Sequence, residues 1–153
     1  MPHVLDLGCG DAACAYAIKQ RWPNAHIMGI DLDPMALHLI PPFVQALQAD
    51  IRALPIIEQP AFNLIIVRHP DVFRRPETWK KVINGVGRLS QINGYLLVTC
   101  YSLPEAKLIG TWQPNQSEKN IKLVPKSVYL QPNIIALPDI IGHDRFAFVW
   151  QFF

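Results

Sequence analysis

Residues 4–10 read VLDLGCG, a short apolar run that leads directly into two glycines separated by one residue. The run has the character of a β-strand, and the alanine-rich stretch at residues 11–21 is typical of a helix. Glycine at such a junction lets the backbone turn tightly and approach a ligand closely. We therefore predict a strand, a glycine loop and a helix, with a ligand site outside the carboxyl end of the strand.

Strand-like and helix-like segments alternate along the rest of the chain, and prolines fall mostly between the apolar runs. Strands are predicted at residues 3–7, 25–30, 43–49, 62–67 and 95–100, the last after a turn at Asn93-Gly94. Helices are predicted at residues 11–21, in a short segment between 31 and 41, at 76–89 and at 103–112. Alternation of this kind is typical of a parallel sheet with helices on both faces.

The C-terminal part of the sequence has no helix pattern between its last two apolar runs. Residues 113–126 are polar and are interpreted as a surface loop, and strands are predicted at about 128–137 and 145–153. Gly142-His143-Asp144 would form the turn between them, and two neighbouring strands joined without a helix must be antiparallel. We therefore expect five parallel strands and a terminal hairpin, within a single domain that spans residues 1–153.

Composition restricts the class of protein. Half of the 153 residues are hydrophobic and 17% are charged, which allows one hydrophobic core and excludes a disordered chain. No run of about 18 apolar residues predicts a membrane span, and no secretory signal pattern begins the sequence. The three cysteines have no metal-ligand spacing, so we expect no disulfide framework, no metal site and a cytoplasmic protein. The net charge of +2 does not by itself indicate nucleic-acid binding.

An aspartate, Asp31, follows the second predicted strand about twenty residues after the glycine loop, as in a nucleotide-ribose site. Two cofactors fit this spacing. The glycines together with Ala13 also match a dinucleotide pattern. However, Asp6 and Asp11 flank the loop and would repel a pyrophosphate, whereas S-adenosylmethionine carries a sulfonium and an ammonium against one carboxylate. The acidic loop favours S-adenosylmethionine, and an NAD(P)-dependent oxidoreductase is the less favoured alternative.

The order of motifs resembles that of class I S-adenosylmethionine-dependent methyltransferases. Residues 4–10 are similar to the first motif of that family, and Gly29-Ile30-Asp31-Leu32-Asp33 is similar to the second. Residues 49–51, followed by Leu54-Pro55, resemble the third, while 62–67 and 94–98 resemble the fourth and fifth strands. The resemblance implies a Rossmann-like, doubly wound sheet of seven strands in the order 3-2-1-4-5-7-6. It also implies methyl transfer from S-adenosylmethionine, with S-adenosylhomocysteine as product.

The cofactor-binding residues implied by the resemblance lie at the ends of the first four strands. They are Asp6, Gly8, Cys9, Gly10, Asp31, Leu32, Asp50, Ile51 and Arg68. Asp6 and the two glycines would shape the pocket for the methionine part of the cofactor, and no chemistry is assigned to Cys9.

The remaining cofactor roles concern the ribose and the adenine. Asp31 would accept hydrogen bonds from both ribose hydroxyls, and Asp50 would accept one from the adenine amino group. The Ile51 backbone N–H would face the adenine ring, and Leu32 would pack on its face. The alternative for both aspartates is a helix cap or a turn residue.

Residues 68–71, Arg-His-Pro-Asp, follow the fourth predicted strand, where the residues that act on the methyl acceptor lie in the family. The segment departs from the Asp/Asn-Pro-Pro-aromatic pattern of relatives that methylate exocyclic amines. His69 is the candidate general base, because an imidazole can change charge near neutral pH. The alternative is that His69 only forms hydrogen bonds in a loop.

Several neighbours of His69 are candidate substrate residues. Arg68 and Asp71 could bind substrate or pair with one another, and Tyr101 and Ser102 follow the fifth strand at the same sheet edge. The methyl acceptor, its nucleophilic atom and the oligomeric state are left open.

A basic cluster around Trp79 is a candidate RNA-binding face. Its cations are Arg74, Arg75, Lys80 and Lys81. Such a face could contact RNA, or it could be the solvated side of a helix with Trp79 turned inward. A small-molecule acceptor is favoured over RNA.

Because the first strand begins at once, with no preceding helix to cover the cofactor, three interpretations remain. These are a minimal enzyme, an enzyme completed by an oligomeric partner, and a non-catalytic S-adenosylmethionine-binding or interaction domain.

Overall fold

The computed structural model of the chain describes residues 1–54, 61–112 and 146–152, and the backbone of residues 124–126. The strands are β1 (His3–Leu7), β2 (His26–Asp31), β3 (Val44–Gln48), β4 (Phe62–Arg68), β5 (Ser90–Cys100), β6 (Val124–Lys126) and β7 (Phe146–Gln151). The helices are α1 (Ala15–Arg21), α2 (Pro34–Leu37), α3 (Pro76–Gly85) and α4 (Leu103–Ile109), and a 3-10 turn at Val86–Leu89 follows α3. No helix within the described residues has the length and apolar character needed to cross a bilayer.

These strands form one sheet in the order β3-β2-β1-β4-β5-β7-β6, which confirms the predicted Rossmann-like topology. β1 to β5 are parallel to one another, and β7 is antiparallel to both β5 and β6. The order reverses direction between β1 and β4. In an open parallel sheet this switch point, at the carboxyl ends of the strands, is where ligands bind.

Residues 4–7 of β1 are all buried, because the two faces of the sheet are covered by different helices. Leu5 and Leu7 face a large core that includes Ile83 of α3 and Ile109 of α4. Val4 faces a smaller core completed by Ala12 of the loop before α1 and by Ala15 and Ile18 of α1. A continuous apolar run is the pattern expected of a central parallel strand, and this burial fixes the position of the loop that follows β1.

The starts of α1 and β5 differ from those predicted. Helix α1 begins at Ala15 rather than Asp11, because Gly10 and Ala12 have φ values of 54° and 55°, outside the helical region. The turn predicted at Asn93-Gly94 is instead a bulge inside β5. There Phe62 pairs with Ser90 and Leu64 with Tyr95, and Asn93 takes a φ of 63° to absorb the extra residues.

The C-terminal strands were predicted only in part. β7 lies within the predicted strand 145–153, but Val124–Lys126 forms β6 where a surface loop was expected. A three-residue edge strand that contains proline is too short to show a period in the sequence. The strand predicted at 128–137 and the turn predicted at 142–144 lie outside the described residues.

Candidate active site

The loop after β1 is held in a tight left-handed turn. Gly8 and Gly10 have φ values of 69° and 54°, a region that residues with a Cβ rarely adopt. The backbone N–H groups of Gly8 and Cys9 both donate to the carbonyl of Ile30, at 2.8 and 3.1 Å. The loop is therefore tied to the end of β2, at the switch point of the sheet.

Asp31 at the end of β2 completes this connection. The N–H of Gly10 donates to Asp31 Oδ2 at 2.8 Å, and the N–H of Asp33 donates to Asp31 Oδ1 at 2.9 Å. Each carboxylate oxygen has two lone pairs, so both can still accept from a ligand. Asp31 and the glycine loop are therefore in direct contact, and their shared role toward a ribose stays a prediction.

Close packing behind the loop depends on Gly29. A Cβ built on Gly29 would lie 2.8 Å from Cys9 Sγ, so only glycine leaves room for this thiol. Burial, with a further contribution from the Asp6 and Asp31 carboxylates, raises the pKa of Cys9 to about 12. Cys9 is therefore a protonated packing residue rather than a nucleophile.

Asp6 lies on β1 directly before the loop and is only 2% exposed. Burial raises the pKa of its carboxyl to about 7; Arg68 opposes the shift, while Asp31 and Asp11 add to it. Asp6 pairs with Ile66 in the sheet, so Arg68, two residues further along β4, lies on the same face. The structure brings the predicted Asp6 and Arg68 together behind the glycine loop.

Asp50 follows β3 and its carboxylate is turned toward Arg52. It accepts from the Arg52 backbone N–H at 2.9 Å and from Nε at 2.9 Å, and forms an ion pair with the terminal guanidinium nitrogen. The hydrogen bonds from Arg52 lower the pKa of Asp50 to about 2. The geometry matches the turn-residue interpretation of Asp50, and its role toward adenine stays a prediction. The other two residues predicted to contact adenine differ in their surroundings. Leu32 is 57% exposed, whereas Ile51 is partly buried and packs against the core.

His69 has an unusual backbone for a residue that precedes proline. Its φ is 46°, and its N–H donates to the Thr99 carbonyl at 3.0 Å. The imidazole lies 6.4 Å from the Tyr101 ring, measured between centroids. Strained backbone is often found at functional sites, and here it places two predicted substrate residues next to each other.

The other two candidates near His69 have local structural roles. Asp71 is exposed, and its Oδ1 accepts from the Arg74 N–H at 3.4 Å, as in a turn residue before α3. Ser102 caps α4: its hydroxyl accepts from the Glu105 N–H at 3.4 Å and contacts the Glu105 carboxylate at 2.9 Å. Ser102 therefore has a capping role, and its place in the pocket stays a prediction.

The sequence of this chain matches a known protein family. A family model that describes a methyltransferase domain matches residues 4–94, more than half of the chain. The chain belongs to the class I S-adenosylmethionine-dependent methyltransferases.

Two curated relatives match parts of this methyltransferase chain. It is 42% identical over 53 residues to trans-aconitate 2-methyltransferase of Escherichia coli, which covers 33% of this chain and 21% of that enzyme. It is 26% identical over 120 residues to the secondary metabolism regulator LAE1 of Cochliobolus heterostrophus, which covers 72% of this chain and 39% of that protein. The matched part therefore spans well under half the length of these relatives.

Solved methyltransferases share the fold. The plantazolicin methyltransferase BpumL, solved with a desmethyl plantazolicin analogue and S-adenosylhomocysteine, superposes with a TM-score of 0.66 and 11% identity, over 99% of this chain and 76% of that one. The amino pentose methyltransferase CalS10 of Micromonospora echinaspora, solved with S-adenosylmethionine, gives a TM-score of 0.57 and 22% identity, over 68% and 44%. At these identities the likeness shows the fold alone.

Trp79 of α3 lies beside the candidate site, and its sequence pattern allowed either an exposed or an inward position. A Cβ on Gly8 would lie 3.3 Å from Trp79 Cη2, so the indole lies against the glycine loop. Trp79 packs on the large core, which confirms the inward interpretation, while the four neighbouring cations are exposed. The spacing of Trp79, Val82, Ile83 and Val86 is the helical signal that places the indole on the buried side.

Proposed function

We propose that this chain is an S-adenosylmethionine-dependent methyltransferase that acts on a small-molecule acceptor. The observation that carries the proposal is the 2.8 Å hydrogen bond from Gly10 to Asp31 Oδ2. It fixes an acidic group, suited to bind a ribose, beside a left-handed glycine loop at the switch point of the sheet. Membership of the methyltransferase family, established over residues 4–94, supports the same activity.

The charges around the loop support S-adenosylmethionine rather than a dinucleotide. The carboxylates of Asp11 and Asp31 both act on Asp6, and Arg68 is the cation that opposes them there. A pyrophosphate would add negative charge to this group at a cost on the order of 1–4 kcal/mol per close pair. The cofactor with a sulfonium and an ammonium would instead reduce the repulsion.

Four residues would hold the nucleoside. Asp31 would accept from the ribose hydroxyls with the lone pairs that its two backbone donors leave available. Leu32 is exposed and is proposed to cover the adenine, with the Ile51 N–H at the ring edge. For Asp50 to accept from the adenine amino group, its carboxylate must share or release Arg52.

Residues after β4 and β5 would act on the acceptor. When bound, S-adenosylmethionine supplies an electrophilic methyl group on its sulfonium. We assign His69 as the base that takes the proton of the acceptor nucleophile, and Tyr101 as a neighbour that orients the acceptor. Phe73, Tyr101 and Leu103 are 60%, 48% and 49% exposed, and these apolar side chains near the same edge suit an organic small molecule.

The boundaries and location of the protein are part of the proposal. β7, at residues 146–151, pairs with β5 inside the sheet, which supports a single domain over residues 1–153. A reducing compartment such as the cytoplasm suits the buried cysteines Cys9 and Cys100.

Turnover is the test that separates an enzyme from a binding module. We would measure formation of S-adenosylhomocysteine with a panel of organic acids, amines and phenols, and with RNA as a separate arm. The proposal expects turnover with a small molecule, and expects His69→Ala to lower kcat by about 10²–10⁴-fold while cofactor affinity is kept. Exposed Lys80→Ala serves as the control without effect.

Three outcomes would contradict parts of this assignment. Full activity in His69→Ala would remove the base role but leave the family and cofactor in place. Saturable binding of S-adenosylmethionine with no turnover on any acceptor would favour a non-catalytic binding domain. Turnover with RNA alone would show that the small-molecule assignment is wrong.

A further inference from the structure

The carboxyl group of Asp6 is enclosed at the base of the cofactor loop. It is 2% exposed, and its Oδ1 has no hydrogen-bond partner among the described residues. A buried carboxylate oxygen without a donor is costly, unless the group is protonated or a ligand supplies the partner. Asp6 comes directly before Leu7-Gly8, so such a ligand would enter from the glycine loop.

Charged groups face Asp6 from three neighbouring segments. They are Arg68 on β4, Asp31 at the end of β2 and Asp11 in the loop that leads to α1. With every carboxyl group ionised, two other carboxylates and one guanidinium act on Asp6, and the protonated Cys9 thiol also faces it. Burial and two like charges therefore oppose ionisation of Asp6 in the empty site, and the pKa near 7 reflects this balance.

We propose that Asp6 holds a proton in the cofactor-free protein and releases it when the cationic cofactor binds, so that cofactor binding is linked to proton release. The inference rests on the proposed function, because it takes S-adenosylmethionine as the ligand of this loop. The ammonium of the cofactor, shared by substrate and product, supplies the positive charge that stabilises the Asp6 carboxylate. The proton that leaves Asp6 goes to solvent, and no bond of the cofactor changes.

The proton linkage predicts a particular pH dependence. Below the pKa of Asp6, the free energy needed to deprotonate its carboxyl increases as the pH falls. The Kd for cofactor therefore rises by close to tenfold for each pH unit of decrease. Above about pH 8 the Asp6 carboxyl is already ionised in the free protein, so its ionisation no longer makes the Kd change with pH. Proton release is expected to be close to one per cofactor at about pH 6 and close to zero at about pH 8.5.

Isothermal titration calorimetry tests this directly. S-adenosylmethionine and S-adenosylhomocysteine are titrated at each pH in two buffers of different ionisation enthalpy, which gives the number of protons exchanged. The amino group of the cofactor also titrates at about pH 7.7–8.0, so the readout is the difference between wild type and Asp6→Asn. Exposed Glu77→Gln and exposed Lys80→Ala are the controls, because neither side chain acts on Asp6.

The expected result is proton release at pH 6 in wild type and in both controls, and its loss in Asp6→Asn. Equal proton exchange in wild type and Asp6→Asn would overturn the inference, with the proposed function unaffected. Should Asp6→Asn not fold, a wild-type Kd that stays constant from pH 6 to pH 8 would overturn it equally. Failure of the proposed function looks different: no binding of either ligand at any pH.

Discussion

The N–H of Gly10 donates to Asp31 Oδ2 at 2.8 Å, so the loop after β1 and the end of β2 form one rigid unit. Asp31 receives a second backbone N–H, from Asp33, on its other oxygen. The acidic group is thus oriented before any ligand arrives. An oriented group loses less conformational freedom on binding, which raises affinity.

Replacing Asp31 with alanine is expected to remove both this orientation and the proposed ribose acceptor. Hydrogen bonds to a charged group contribute about 1.5–3 kcal/mol each, so affinity for S-adenosylmethionine should fall by at least about 10-fold. Calorimetric Kd values for wild type and Asp31→Ala measure this. Asp33→Ala is the control, because Asp33 caps α2 through the Met35 N–H at 2.9 Å. Equal losses in both variants would show that the effect is only structural.

Gly29→Ala is expected to destabilise the fold, because the added Cβ would lie 2.8 Å from Cys9 Sγ. Overpacking of this kind costs about 1–3 kcal/mol in the free energy of unfolding. Denaturant unfolding of Gly29→Ala, Cys9→Ala and the double variant measures the coupling between the two sites. The double variant should recover part of the loss, since the sulfur is gone. Strictly additive effects would contradict the contact.

The left-handed backbone of His69 predicts an asymmetry between two substitutions. Glycine adopts a φ of 46° without steric cost, whereas alanine pays about 1–2 kcal/mol there. His69→Gly should therefore be more stable than His69→Ala in urea unfolding, although both lack the imidazole. At a position with ordinary helical backbone, such as Lys80, the order reverses, and Lys80→Gly against Lys80→Ala is the comparison.

Asp6→Asn is expected to stabilise the ligand-free protein, and more so at higher pH. The folded-state pKa of Asp6, about 7, lies above its unfolded value near 3.8. At pH values well below the unfolded pKa the carboxyl is neutral in both states, so its burial does not lower the stability of the wild type. Between pH 4 and 7 the unfolded chain ionises first, and wild type loses stability until it levels off above pH 7, by an amount on the order of a few kcal/mol. Urea unfolding at pH 4.5 and pH 8 checks this; a gain that is the same at both pH values would contradict the buried proton.

The sequence was sufficient to predict the order of elements from β1 to β5 and the meeting of Asp31 with the glycine loop. Both depend on local patterns, because an apolar run followed by glycines is typical of a strand that ends in a turn. The Trp79 position was also accessible, through its spacing to Val82 and Ile83 on α3. Helical periodicity decides between the core and the solvent for that residue.

Features that depend on contacts between distant segments were not predictable. The bulge at Asn93 reflects the pairing of Phe62 with Ser90, and the role of Gly29 on β2 depends on the Cys9 side chain from the loop after β1. The hydrogen bonds from Arg52 to the Asp50 carboxylate were not predicted either, and the role of Asp50 toward adenine stays a prediction. The Asp6 motif likewise carried no sign that the carboxyl is almost fully buried.

The identity of the cofactor is the central claim, and a thermal-shift titration tests it most directly. Wild-type protein is heated with increasing S-adenosylmethionine, S-adenosylhomocysteine or NAD, and a ligand at 100 times its Kd should stabilise the fold by about 2.7 kcal/mol. We expect a saturable increase in Tm with the first two ligands and none with NAD. An increase with NAD alone, or with none of the three, would contradict the account.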